Sequence, residues 1–169
     1  YVDASAGGAG GAAAMNPRVY LTLDGKKVDT SDVEAETSKD WDLAIKRPVF
    51  FTNSGQGGSG AGGAQWLANK DFATVTKADA TALKTEAFLD AECNTKTDAM
   101  GAIETTFTGW YDYRAADNHL TPFTGTWIVK GGDGKLYKLA ILTYYATADG
   151  TEGTASDSAK YTLKIAKLD

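Results

Sequence analysis

The chain is 169 residues long, 43% hydrophobic and 11% aromatic, with 23% charged residues of both signs. That composition suits one globular domain and excludes a disordered or collagen-like chain despite 19 glycines. The formal charge of -5, with lysines and arginines scattered singly, excludes the basic stripe a nucleic-acid binder needs, and no run approaches the ~20 apolar residues of a membrane-spanning helix.

The small residues from Ala4 to Ala14 lack periodicity, so residues 1–16 are expected to be a flexible N-terminal segment of a single domain over 1–169. Tyr1-Val-Asp-Ala reads as mature sequence, which places any export or lipidation signal upstream or already removed. From Arg18 to Leu23, Val19, Leu21 and Leu23 alternate with Tyr20 and Thr22, the pattern of a half-buried strand. Asp24-Gly25 supplies a turn, and Trp41, Leu43 and Ile45 again share a face at period two. Pro48 cannot donate to a ladder, so the strand breaks or lies at an edge there before Val49–Thr52 resumes.

A glycine-rich loop runs from Asn53 to Gly63, followed by Ala64–Leu67 and a short alternating piece from Phe72 to Thr76. Lys77 to Asp90 is the one stretch that reads as a helix, with Ala80, Leu83 and Ala87 making a short apolar stripe. Beyond Thr105 the aromatic and β-branched runs 107–113, 125–130, 136–145 and 160–168 read as strands. Apolar residues on both faces of 136–145 mark it as central, whereas the clean alternation of 160–168 marks it as half-exposed. The short Gly131-Gly-Asp-Gly134 turn requires antiparallel neighbours. The fold class is therefore all-β, a predominantly antiparallel, meander or sandwich-like sheet with at most one or two short helices.

Gly55-Gln-Gly57-Gly-Ser-Gly60 matches G-x-G-x-x-G, but more glycine and alanine follow where a dinucleotide-binding helix must begin. The loop is expected to be mobile or to allow close backbone approach. Cys93 is the single cysteine, so no internal disulfide forms, and its neighbouring carboxylates disfavour a reactive thiolate. His119 is the single histidine, in a predicted turn, where it is either solvated or a ligand; a multi-histidine metal site or a Ser-His-Asp triad has little to draw on. Asp112, Asp117, Asp133, Asp149 and Asp157 lack EF-hand spacing and read as turn aspartates. Met15 and Met100 are either packing residues or soft thioether ligands. The aromatic residues Trp110, Tyr111, Tyr113, Trp127, Tyr137, Tyr144 and Tyr145 suit either a core or the walls of a flat apolar pocket.

Trp41-Asp-Leu-Ala-Ile45, followed by Thr52-Asn-Ser-Gly55 and the glycine run, resembles the HmuY-like family of bacterial haem-binding proteins. Tyr1–Ser5, Val19–Gly25, Gly109–Tyr113, Trp127–Leu139 and Tyr144-Tyr145 extend that resemblance in order over nearly the whole chain. The resemblance implies an all-β haemophore without catalysis, exported as a secreted or outer-membrane lipoprotein for iron acquisition. It implies non-covalent capture of b-type haem for a TonB-dependent outer-membrane receptor. Relatives hold iron through histidine or methionine side chains on finger-like strands and loops of the second half, which makes His119 and Met100 the nearest candidates for iron ligands. Tyr111, Tyr113 and Trp127 are then expected as pocket walls, and Lys130 as a partner for the haem propionates. A non-haem interaction or surface-structural module on the same fold is the rival reading. No carboxylate pair stands out for an enzyme, and no C-x-x-C-H occurs for covalent haem attachment.

Overall fold

The computed structural model describes residues 1–6 and 15–169, so most of the small-residue N-terminal stretch lies outside the described residues. The elements in chain order are β1 (Val2–Asp3), β2 (Val19–Leu21), β3 (Lys27–Val28), the short helix α1 (Asp32–Ala35), β4 (Leu43–Lys46), β5 (Val49–Thr52) and β6 (Gly63–Ala68). These are followed by β7 (Tyr111–Arg114), β8 (His119–Pro122), β9 (Gly125–Lys130), β10 (Leu136–Thr143) and β11 (Lys160–Lys167). Every strand pairing within the sheets is antiparallel.

A four-stranded sheet ordered β3-β2-β4-β5 packs against a five-stranded sheet ordered β1-β11-β10-β9-β6, and β7-β8 forms a separate two-stranded hairpin. Side-chain alternation assigns the faces. Leu21, Leu43, Ile45 and Phe50 from the first sheet meet Trp127, Val129, Leu139 and Tyr161 from the second in one buried core. On the outer face of the four-stranded sheet, Tyr20, Ala44 and Phe51 are covered by Ala35, Trp41, Phe88 and Ile103. On the outer face of the five-stranded sheet, Ile128 is covered by Val75, Ala80, Leu83 and Leu168. As the two-faced apolar pattern predicts, β10 is central, flanked by β9 and β11.

Five local expectations are corrected. Within the expected flexible segment 1–16, Val2–Asp3 instead pairs with Lys160 and Tyr161 as β1, and Ala4 is buried in the core. Residues 77–90 form no α-helix; a 3-10 turn at Lys77–Asp79 is followed by extended chain. Lys84 exchanges two 2.9 Å hydrogen bonds with Ala64 of the edge strand β6, and Ala80 and Leu83 pack beneath. An exposed strand edge offers backbone partners that a threonine-containing segment of weak helical pattern does not outcompete. Phe72–Thr74 is likewise a 3-10 turn, because the Asp71 side chain accepts from Ala73 N–H at 2.7 Å. Trp41 precedes β4 and packs on the outer face, edge-on to Tyr20 at 5.0 Å, instead of sharing the inner face of Leu43 and Ile45. His119 belongs to β8, opposite Arg114, not to the turn; Asn118 takes the left-handed conformation (φ +55°) that closes the hairpin.

Candidate functional site

The motif-bearing half of the molecule is a scaffold. The Asp42 carboxyl group accepts from Leu23 N–H and Gly132 N–H, both at 2.7 Å, tying the two sheets together at one end. Buried Asn53 donates to the carbonyls of Trp41 (2.9 Å) and Ser38 (3.0 Å) and accepts from Gly60 N–H at 2.8 Å. The glycine loop thus winds around Asn53, and a Cβ on Gly60 would lie 2.7 Å from that side chain. Its amides are spent on its own neighbours, Gly57 N–H on Ser54 and Gly62 N–H on Asn53, so the loop is a close-approach device and not a phosphate cradle.

Glu86 is the buried residue that sequence reading missed, at 2% exposure. Its carboxyl group accepts four hydrogen bonds: from Thr52 N–H (2.8 Å), Thr52 Oγ1 (3.1 Å), Thr106 Oγ1 (2.7 Å) and Thr106 N–H (3.0 Å). These bonds fasten both ends of the segment 87–105 to β5. Nothing in the pattern of Lys84-Thr-Glu-Ala-Phe88 announces this role, since a helical reading puts Glu86 on a polar face.

Segment 87–105 is an arm without regular strands, held by the isolated bridges Leu89–Thr95 and Thr97–Ile103 and by Phe88 and Ile103 packing on the outer face. Its two turns are closed by aspartates. Asp90 Oδ1 accepts from Asn94 N–H at 2.8 Å, and Asp98 Oδ1 accepts from Met100 N–H (2.9 Å) and Ala102 N–H (3.0 Å). Met100 sits in the second turn with 54% of its surface exposed, so its thioether is not spent on packing. Met15 is exposed too. Cys93 is exposed in the first turn.

A narrow cleft separates the arm from the start of the hairpin, with Asp98, Ala102 and Ile103 on one side and Trp110 and Tyr111 on the other. Trp110 fixes that second wall: its indole N–H donates to Pro48 O at 2.8 Å, and its ring meets Phe50, Tyr144 and Tyr161. Burial, with the nearby Asp98 charge, raises the Tyr111 pKa, and burial pushes Tyr144 up to about 12. Both remain protonated phenols near neutral pH, which disfavours a phenolate ligand to a metal there.

Along the hairpin, Tyr111 and Tyr113 turn towards the core with Leu120, while Asp112, Arg114, Thr121 and His119 fall on the opposite face by strand alternation. The His119 ring stacks on Tyr145 at 4.6 Å and 20°. Arg114 pairs with Asp117 through two hydrogen bonds, at 2.8 and 2.6 Å, beside the turn.

The expected site residues therefore separate into groups. Met100, Tyr111, Tyr113 and His119 belong to the arm and hairpin. Trp127 is 3% exposed between the sheets, its ring against Trp66 (4.9 Å) and Phe107 (4.5 Å). Lys130 pairs with Leu136, at the end of β10 remote from Tyr144 and Tyr145 by eight residues, roughly 26 Å along a strand. Of the six expected residues only Tyr111 lines the arm-hairpin cleft; Met100, Tyr113, His119, Trp127 and Lys130 lie outside its lining. Among the described residues no cluster of three or more His, Cys, Asp or Glu forms a metal site, and no helix is long and apolar enough to cross a membrane. Asp133, Asp149 and Asp157 each accept a backbone N–H within their turns, as expected, whereas Asp112 lies in β7.

Known proteins align with this architecture. The family model for HmuY protein matches residues 15–156. A search of curated proteins returns no match. Among solved structures, a HmuY-like haem-binding protein from Bacteroides vulgatus superposes with a TM-score of 0.52 at 20% identity, covering 88% of this chain and 83% of its own. The apo HmuY analogue of Tannerella forsythia superposes with a TM-score of 0.53 at 16% identity, covering 90% of this chain and 80% of its own. At these identities the structural matches show a shared fold, and with the family match over most of the sequence, the chain belongs to the HmuY family.

Proposed function

We propose that this chain is an exported, non-enzymatic haem-binding protein that captures haem non-covalently for uptake, with His119 and Met100 as the iron ligands. The observation that carries the reading is the state of those two side chains: the sole histidine is held on a tyrosine platform at the hairpin, and the Met100 thioether is displayed on an aspartate-capped turn of the facing arm. Imidazole and thioether together give a low-spin haem with a raised potential.

The cleft itself has only about 10 Å³ of free volume, while a small-molecule pocket needs roughly 300 Å³ or more. Haem entry into this cleft thus requires the arm to part from the hairpin. An outer-membrane TonB-dependent receptor is the expected recipient of the haem, and lipoprotein anchoring or secretion the expected location, both on the strength of family membership.

One surface favours the rival interaction-module reading. Phe123 and Leu142, both about half exposed, border a groove of about 360 Å³ beside Phe72 and Lys164. Exposed apolar groups gathered in one groove suit a protein partner.

Haem titration followed by absorption spectroscopy in both oxidation states, with His119→Ala and Met100→Ala alongside, separates the readings. A saturable one-to-one Soret shift that either substitution removes is expected. A wild-type spectrum of weakly adsorbed haem alone overturns haem capture and leaves the interaction module.

A further inference from the structure

We infer that Tyr145 is the positioning residue for His119, holding its ring and its backbone in place before any ligand arrives. This role deepens the reading of His119 as an iron ligand and rests on it, although the geometry itself belongs to the unliganded protein. Tyr145 contacts the histidine segment three times. Its ring lies beneath the imidazole at 4.6 Å and 20°, its hydroxyl accepts from Leu120 N–H at 2.9 Å, and the same hydroxyl donates to Asn118 O at 3.4 Å. The residues on both sides of His119 are therefore tied to the one side chain that supports its ring.

Tyr145 is itself buried and anchored. It is 3% exposed and packs edge-on to Tyr144 at 5.0 Å. Its N–H donates to Thr143 Oγ1 at 3.0 Å and its carbonyl accepts from Gly153 N–H at 2.5 Å. The register shift in β10 between Ile141 and Thr143 precedes this pair, so that Tyr144 and Tyr145 are buried in succession. A ligand side chain at the end of a two-stranded hairpin would otherwise sample several rotamers, and ordering it on ligation costs affinity. Stacking and pinning meet that cost in advance, as an outer-shell partner does for a metal-bound histidine.

The test compares wild type with Tyr145→Phe, Tyr145→Leu and His119→Ala. Three readouts are needed: the His119 ring proton shifts of the haem-free protein by NMR, hydrogen exchange of the Leu120 amide, and haem affinity from Soret titration. Tyr145→Phe keeps the ring and is expected to retain the stacked His119 shift while Leu120 exchanges faster. Tyr145→Leu is expected to move the His119 resonances towards those of a free histidine and to weaken haem binding by about 10- to 100-fold, the range of an outer-shell loss.

Unchanged His119 shifts in Tyr145→Leu, or wild-type haem affinity there while His119→Ala loses binding, overturn the positioning role. Wild-type haem binding by His119→Ala overturns the ligand reading instead, and the role of Tyr145 with it. If Tyr145→Leu does not fold, the near-isosteric Tyr145→Phe decides: wild-type Leu120 exchange together with wild-type haem affinity overturns the proposal, and faster exchange with weaker binding supports it.

Discussion

The Asn53–Glu86 region and the arm-hairpin region are built on opposite terms. Around Asn53 and Glu86 the polar groups are buried and their hydrogen bonds are all internal, so each side chain fixes several backbone segments at once. In the arm and hairpin, regular pairing is reduced to isolated bridges and a two-stranded ladder, and the histidine and methionine face outward or lie half-buried. The difference teaches that the residues most easily read as a motif hold the frame, while the residues with ligand chemistry sit on the elements with the least regular pairing. A buried, satisfied polar network specifies one conformation; a sparsely bonded arm is drawn from the low-stability end of the molecule.

The sharpest way to break that contrast is Glu86→Ala. It removes the acceptor of four hydrogen bonds and leaves the amides of Thr52 and Thr106 without it, for an expected loss of about 4 kcal/mol in urea unfolding. The arm should be released at the same time, seen as faster exchange of the Thr106 and Ile103 amides. A loss below about 0.5 kcal/mol, within the range of ordinary surface substitutions, would show that Glu86 is not the fastening point.

Alkaline pH probes two buried tyrosines, Tyr144 behind the hairpin and Tyr20 on the outer face of the four-stranded sheet. Burial raises Tyr144 from its ordinary value of 10.0 to about 12, and burial followed by the Asp32 hydrogen bond does the same for Tyr20. Between pH 10 and 12 the unfolded chain sheds protons that the folded chain retains, so stability falls with rising pH. The stabilisation is complete below pH 10 and is lost towards about 12, at about 1.4 kcal/mol per pH unit for each tyrosine. Denaturant midpoints measured across that window check the sign; a rise would refute it.

Asn53→Ala is expected to cost about 2 kcal/mol, because the carbonyls of buried Trp41 and half-buried Ser38 lose their donor and Gly60 N–H its acceptor. Exchange at Gly60 should rise, while His119 ring signals should stay as they are, which separates the scaffold from the hairpin. The smallest effect belongs to Met100→Ala. More than half exposed, Met100 should change unfolding free energy by no more than about 0.5 kcal/mol while removing the proposed haem ligation, so that stability and spectrum move independently.

The strand pattern was legible because period-two alternation is a local property. Val19, Leu21 and Leu23 reach the inner face as their spacing predicts, and β9 spans Gly125–Lys130 as read. The candidate site was only partly legible. Residue type pointed to His119 and Met100, but the same aromatic richness describes Trp127, which fills the space between the sheets, and Tyr111, which walls a cleft. A sequence window contains no information on which side of a sheet a neighbouring segment lies.

By itself, then, the sequence determined the alternating strands, the tight glycine and aspartate turns, the antiparallel all-β class and the HmuY resemblance, since each depends on residues close together in the chain. Tertiary structure alone decided that 77–90 gives up its helical pattern to pair with β6, that Glu86 is buried beside Thr52 and Thr106, that Lys130 lies at the far end of the sheet, and that Tyr145 underlies His119. Apart from the placement of Lys130, those outcomes turn on partners 20 to 34 residues away, whose hydrogen bonds and ring contacts outweigh local propensity once the sheets have closed.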